Sequence, residues 1–354
     1  KPNLSSFPMQ SIIKKFSIIF IFIITFESNQ SKTFASKDLG FDDFGLISIM
    51  YHRFNEGKYP STNIELDIFK EQLKIIEDEG IQFIHPKNFE KSLTQKKRDR
   101  KILLTIDDGL LSFYQNAWPI LKSKKIPFIL FVNTREVGSY NYMNWDQIRE
   151  LSNSENVEIG NHSHSHEYLV DESAEVIKKD ISKSIKIFED KLGKNSEFFS
   201  YPFGEYSLEF KKIIKTMGFK FAFGQHSGVI DETKDLWELP RFPINEKYGE
   251  IKRFNTLMKT LPFKYRKIEP EDRYLKQSKN PPKVKIKFYE NIKNLKNINC
   301  FSNEGNKWRN SKIVFINDNE LKIEIAEKFI GERGRINCSL REVDGFWRWL
   351  GIQY

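Results

Sequence analysis

From about residue 45 to residue 242, short β-prone runs of apolar and aromatic residues alternate with longer amphipathic stretches. The runs fall at 46–51, 82–85, 101–106, 127–132, 157–160, 197–201, 220–223 and 238–242. Helical patterns lie between them. The clearest covers 173–192, where Ile177, Ile181, Ile185, Phe188 and Leu192 recur at three- and four-residue steps and so share one face. Gly193 follows as a stop signal. Two more are expected at 66–79, closed by Gly80, and at 112–124, with Pro127 just beyond. Strands that alternate with crossover helices predict an α/β fold, either a barrel or a layered sheet.

The alternation ends after residue 242. Residues 263–282 are charged and punctuated by Pro270 and the Pro281-Pro282 pair, which reads as a linker. The stretch 283–354 then alternates apolar and charged positions, as in Val284-Lys285-Ile286-Lys287-Phe288, and predicts a small all-β sandwich. Its Trp308, Trp347 and Trp349 suit either a sugar-stacking platform or the anchors of a small core. Cys300 and Cys338 are either one disulfide or two buried thiols, because bonding depends on a Cα separation that sequence does not give.

At the other end, Lys14-Lys15 precede an unbroken apolar run, 16–26, of the length of a signal-peptide core. Thr33-Phe34-Ala35 is a weak cleavage candidate, so a removed signal and a retained membrane anchor both stay open. Either implies export to the periplasm, the cell envelope or the medium. The expected division is therefore leader and spacer 1–40, barrel 41–262, linker 263–282 and sandwich 283–354. Oligomeric state is left open.

A hydrophobic content of 39% and a charged content of 30% exclude wholesale disorder. The net charge of +9 comes from lysines spread along the whole chain, a solvated surface rather than a nucleic-acid groove.

The chemistry-bearing residues gather after strands: His52, Asp107-Asp108, His162 to His166, Tyr201 to Gly204, Gln225-His226 and Arg241. In a parallel barrel that end carries the active site. The segment KILLTIDDG (101–109) delivers adjacent carboxylates and then a glycine. Adjacent strand residues point to opposite sides, so Asp107 and Asp108 are expected to serve different roles, one toward a metal and one toward a water. His162 and His166 lie four apart, the spacing that presents two imidazoles on one side of a helical turn. With a carboxylate they make a set suited to Zn2+ or another borderline ion, with open positions for water and substrate.

In that order and spacing, TIDDG, NHSHSHEYL and SYPFG resemble the motifs of the NodB-homology polysaccharide deacetylases, carbohydrate esterase family four, over about residues 45–245. The resemblance implies a distorted (β/α) barrel that removes acetyl groups from sugar polymers. It implies Asp107 as general base, Asp108 as the metal-binding aspartate, and His162 and His166 as the metal histidines. MYHR (50–53) and LPRFP (239–243) are similar more narrowly to the branch acting on poly-N-acetylglucosamine.

Two departures stand out. Ser200 occupies a position where the family often has arginine, and Arg241 is the expected substitute, holding Asp107 as a carboxylate. No late Leu-x-His motif follows Arg241, so His52 is the replacement acid and His226 the alternative. The turn Pro202-Phe203-Gly204 is expected to supply a backbone N–H to the oxyanion. Tyr201 and Trp145 suit either the walls of the sugar groove or plain core, as aromatics at strand and helix starts do, and His226 is counted among the substrate-facing residues. The expected partner is an N-acetylated polysaccharide, and the expected cofactor one divalent ion. Rival readings are an amidase on peptidoglycan or on a small non-sugar amide, and a non-catalytic glycan-binding protein. A glycoside hydrolase fits poorly, because its two carboxylates must flank the scissile bond.

Overall fold

The computed structural model describes residues 44–94, 99–290, 292–331 and 333–354. The apolar run 16–26, and with it the expected leader or anchor, lies outside the described residues. Nine strands form one curled sheet: β1 (Leu46–Tyr51), β2 (Gln82–Phe83), β3 (Lys101–Ile106), β4 (Phe128–Val132), β5 (Val157–Asn161), β6 (Phe198–Ser200), β7 (Phe221–Phe223), β8 (Val229–Ile230) and β9 (Phe242–Pro243). The order is β8-β1-β3-β4-β5-β6-β7, with β2 against β3 and β9 against β1. All pairs are parallel except β1 with β8.

Leu239 bridges to Phe223 of β7, while Phe242 pairs with Ile49 of β1. The segment 239–243 therefore ties the two ends of the sheet together and curls it into the expected distorted barrel. Only Phe242–Pro243 of the expected 238–242 strand is regular.

Burial on both faces explains why the strands read as nearly unbroken apolar runs. Along β3, Ile102, Leu104 and Ile106 pack in the helix-side cluster with Phe113 and Leu121. Leu103 joins the interior cluster with Leu46, Ile129, Phe131, Phe223 and Leu239. Helices α1 (Leu66–Asp78), α2 (Phe89–Thr94), α3 (Trp118–Lys124), α4 (Trp145–Ser152), α5 (Ala174–Leu192), α6 (Leu208–Thr216) and α7 (Ile251–Leu257) complete this part. The Ser173 hydroxyl caps α5, and Gly193 ends it at φ 79°. The helix expected at 112–124 is broken into a π-helical turn, Phe113–Ala117, and then α3. Pro119 has no N–H with which to continue a regular α-helical ladder there.

The tail is a two-sheet sandwich, as expected. Its strands are β10 (Thr260–Pro262), β11 (Tyr265–Glu269), β12 (Val284–Phe288), β13 (Asn299–Ser302), β14 (Arg309–Asn310), β15 (Lys312–Asn317), β16 (Glu320–Glu324), β17 (Arg335–Arg341) and β18 (Trp347–Gln353). One sheet runs β10-β18-β17-β13-β14 and the other β11-β12-β16-β15. Inward residues such as Val284, Ile286, Leu321, Ile323, Ile336 and Leu340 form one core between them. Cys300 and Cys338 face each other across β13 and β17 and are joined as a disulfide.

The expected linker needs correction. Within 263–282, β11 is an edge strand whose one fully inward residue is Ile268. Its other positions are charged or half-buried, which protects an exposed edge and mimics linker composition. Sandwich pairing also starts earlier than expected, because β10 lies within 41–262 and pairs with β18. Among the described residues no helix is long and apolar enough to cross a membrane.

Candidate active site

The alternation along β3 continues past the strand end, so Leu103, Thr105 and Asp107 all face the barrel interior. Asp107 is fully buried there and meets Arg241, which is also fully buried. The guanidinium holds both carboxylate oxygens, Nη1 to Oδ1 at 2.7 Å and Nη2 to Oδ2 at 2.9 Å. Its remaining N–H groups go to the Gly224 carbonyl at 2.9 Å, Thr105 Oγ1 at 3.2 Å and Ser200 Oγ at 2.8 Å. A guanidinium has five N–H donors, and here all are used, as a buried charge requires. Ser200 in turn donates to Asp107 Oδ2 at 3.2 Å. Burial pushes the Asp107 carboxyl up, but Arg241 and His162 outweigh it and hold the group below the ordinary carboxylate value.

Asp108 departs from the expected strand geometry. Its φ is 79°, and Gly109 follows at φ 70°, so the chain turns in the left-handed region. Instead of pointing to the opposite side, Asp108 brings Oδ1 to 3.3 Å from His162 Nε2 and 3.4 Å from His166 Nε2. Asp107 Oδ2 lies 4.0 Å from the same His162 nitrogen.

The two histidines do not converge on a helical turn. Residues 162–166 form a loop, with Ser163 at φ 69° and His166 at φ 52°. Its amides are held in place by polar neighbours. His164 N–H and Ser165 N–H donate to the Asp180 carboxylate on α5 at 2.8 and 3.1 Å. Ser163 N–H reaches Asn161 Oδ1 at 3.0 Å, and His166 N–H reaches Ser163 Oγ at 3.0 Å.

The donor chemistry of this cluster suits a cation. His162 Nδ1 lies 2.7 Å from the Ser200 carbonyl, which only accepts, so Nδ1 carries the hydrogen and Nε2 presents a lone pair. Both that nitrogen and Asp108 Oδ1 are buried without a hydrogen-bond partner. Two facing lone pairs at this distance repel unless a positive charge lies between them. The ligand atoms of Asp108, His162 and His166 all lie within 4.8 Å of one another. His162 is buried, but the side chains of Asp108 and His166 remain 19% and 25% exposed, which leaves one side open to substrate. Burial pushes the Asp108 carboxyl up, yet the neighbouring His162, His52 and His166 outweigh it and drive it far down.

His52, half-buried on the loop after β1, is thus close enough to act on Asp108, and it also acts on Asp107. Phe203 sits at φ 59° with its ring 4.8 Å from that of His166 and 5.3 Å from that of Tyr168, forming a wall of the open side. Pro202 and Gly204 are buried behind it. Gly204 is required at φ 71°, because a Cβ there would meet the Gln225 side chain at 2.3 Å.

Three expected site residues lie elsewhere. Tyr201 is fully buried, donates its hydroxyl to the Trp237 carbonyl at 3.0 Å and packs with Phe199, Tyr206 and Phe210. Trp145 packs edge-on against Phe188 on the helix side. His226 faces Tyr206 and is influenced by Glu238 and Arg273. An aromatic at a strand or helix end reads the same in sequence whether it lines a groove or a core. Conversely, Ser200, Thr105, Asn161 and Asp180 support the site unannounced, since small polar residues at strand ends and on helices are commonplace. Ser200 alone carried a signal, as a departure from a motif.

Known proteins resemble this chain in sequence and fold. A family model described as polysaccharide deacetylase matches residues 94–222. The poly-beta-1,6-N-acetyl-D-glucosamine N-deacetylase of Staphylococcus aureus is 25% identical over 254 residues, covering 62% of this chain and 87% of that protein. The structure of IcaB from Ammonifex degensii superposes with a TM-score of 0.56 at 25% identity, covering 61% of this chain and 98% of that one. The deacetylase PplD of Streptococcus pyogenes shares the fold at a TM-score of 0.55 and 22% identity, covering 61% and 99%.

Proposed function

We propose that this chain is a NodB-homology polysaccharide deacetylase, a hydrolase of amide bonds, and that it removes N-acetyl groups from an exported poly-N-acetylglucosamine-type polysaccharide. We further propose that it works with one divalent cation, best matched by Zn2+, held by Asp108, His162 and His166. The observation that carries the metal dependence is the unpartnered pair His162 Nε2 and Asp108 Oδ1, with the His162 hydrogen committed to Ser200 on the other side of the ring. Two imidazoles and one carboxylate suit a catalytic ion that keeps open positions. When bound, such an ion polarises a carbonyl and acidifies water.

The protein's own groups then supply the rest. Asp107, held ionised by Arg241, takes the proton of the attacking water. Within the turn after β6, Gly204 N–H is already committed to the Tyr201 carbonyl at 2.8 Å. Phe203 N–H is then the donor for the oxyanion that develops on the acetyl carbonyl. Phe203 and Tyr168 bound the acceptor side, and the half-buried His52 delivers a proton to the departing amine. Export is part of the proposal through the kind of substrate, since the homologue from Staphylococcus aureus is named for an N-acetylglucosamine polymer.

Acetate release from N-acetylglucosamine oligomers tests the reading. Activity should vanish with a chelator and return on adding Zn2+, and His52→Gln should lower turnover by about 10²-fold. Undiminished release under chelation would reject the metal role. Full activity of the His52 variant would reject that residue as the acid.

A further inference from the structure

A second cleft, of about 370 Å³, opens between the barrel rim and the sandwich. Its walls are aromatic. Trp349 lines it from β18, and Phe301 on β13 and Trp308 just before β14 line it while remaining 40% and 47% exposed. Large aromatics left open to solvent on a β-sheet need an occupant more than buried ones do. Stacking on a pyranose ring is what flat, exposed indole faces offer.

Charge decides which sugar. Lys247, Arg253 and Arg335 line this cleft, and no carboxylate is among its lining residues. Among the described residues none of the three forms a salt bridge, whereas most other arginines of the chain are paired. Arg335 Nε is sheltered from solvent without an acceptor. Arg253 donates to the Tyr248 carbonyl and lies 5.0 Å from that ring's centre, which orients its guanidinium without neutralising it. Burial lowers the pKa of both arginines, to about 10 for Arg253, so each is strained by being charged there. A negative ligand would relieve that strain. A deacetylated, cationic sugar would be repelled.

We infer that this cleft binds a sugar bearing a carboxylate, a hexuronate-type residue, with its ring against Trp308 and Trp349 and its carboxylate between Arg253 and Arg335. Planar guanidinium forks match a planar carboxylate in two-point contacts. The features that commonly cradle a phosphate are missing from the lining, which offers neither the start of a long helix nor a glycine-rich turn. The cleft also adjoins the candidate active site through one side chain. Gln225 lines the cleft, packs on Gly204 and accepts from Arg333, which also donates to the Phe203 carbonyl. An acidic residue held here belongs to the same glycan strand that enters the barrel face, or to an acidic polymer against which the enzyme is anchored.

Binding of trigalacturonic acid to the intact protein, followed by tryptophan fluorescence and calorimetry, tests this without calling on metal or turnover. The free acid should bind about ten-fold or more tightly than its fully methyl-esterified form, and high salt should erase the difference. Arg335→Gln and Arg253→Gln should each weaken the acid by about ten-fold and leave the ester unchanged, and Trp308→Ala should weaken both. Arg335→Gln should keep the wild-type melting temperature and rate of acetate release. The inference is overturned by equal binding of acid and ester, by arginine variants that bind normally, or by a sugar phosphate that binds more tightly than the uronate. Failure of acetate release together with intact uronate binding would remove the proposed deacetylation and leave this site standing.

Discussion

Among the described residues two buried carboxylate–guanidinium centres can be compared, and only one of them has the marks of chemistry. At the barrel mouth Asp107 is clasped by Arg241, and at the junction with the sandwich Glu238 is clasped by Arg273 at 2.9 Å and by Lys211 at 2.7 Å. Both acids are held as carboxylates against burial, Glu238 down to about 2. The difference lies in the surroundings. Each Glu238 oxygen has a cation of its own, whereas beside Asp107 the lone pairs of His162 Nε2 and Asp108 Oδ1 point at each other unpartnered. A buried ion pair by itself is thus no sign of function. Beside Glu238 the His226 Nδ1 is also left unpartnered, but among the described residues it joins no group of converging ligand atoms, as His162 and Asp108 do. An ion pair beside several unsatisfied ligand atoms that converge is a sign of function.

The sharpest way to break the comparison is to neutralise one acid in each centre. Asp107→Asn should lower the rate of acetate release by about 10³-fold, the size of a lost general base, in a protein whose circular dichroism stays native. Glu238→Gln should leave the rate within about three-fold while lowering unfolding free energy by about 3–5 kcal/mol, because Arg273 and Lys211 then share a site with no anion. Equal rate losses in the two variants would erase the distinction.

Acid sharpens it next. His226, beside Glu238, is pushed down to about 4, by burial first and then by Arg273 and Arg241, with Glu238 opposing. The unfolded chain takes up a proton near the ordinary value of 6.5 and the native state does not, so this stabilisation is full above pH 6.5. It is lost as pH falls to about 4, a change on the order of 3 kcal/mol. Urea midpoints across that window should fall steeply in the wild type, and less steeply in His226→Gln.

The same contrast shows what could be read from the chain. Strands 46–51 and 101–106 were legible to the residue because both are unbroken apolar runs buried on two sides, and Asp107, Asp108, His162 and His166 stood out because they end such runs. The pairing of Arg241 with Asp107 was also anticipated, from a motif that lacked its arginine. The manner of convergence was not. Asp108, Ser163, His166 and Phe203 all take positive φ, a choice that tertiary contacts impose on residues whose types do not announce it. Of the residues expected in the groove, Tyr201 lies in a packed interior, Trp145 packs half-buried on the helix side, and His226 is half-buried on the lining of the second cleft. Residue type records that a ring is large and polar at one end, not which side of a strand end has room for it. The β11 segment misled for the opposite reason, since an edge strand exposes its charged face and looks like tether.

The smallest expected effect tests how far the Asp107 centre depends on its polar satisfaction. Ser200 Oγ both donates to Asp107 and accepts from Arg241, so it closes a three-membered network of fully buried groups. Ser200→Ala removes two neutral-to-charged hydrogen bonds and leaves one guanidinium N–H without an acceptor, but both carboxylate oxygens keep Arg241. A loss of about 1–2 kcal/mol in stability follows. The rate should fall only about three- to ten-fold, with the acidic limb of its pH profile moved upward, because Asp107 loses a donor that favours its charged form. A rate as low as that of Asp107→Asn would mean that Ser200 positions the reacting water, or the His162 ring that its carbonyl holds, rather than the base. An unchanged pH profile would mean that Arg241 alone sets the ionisation of Asp107.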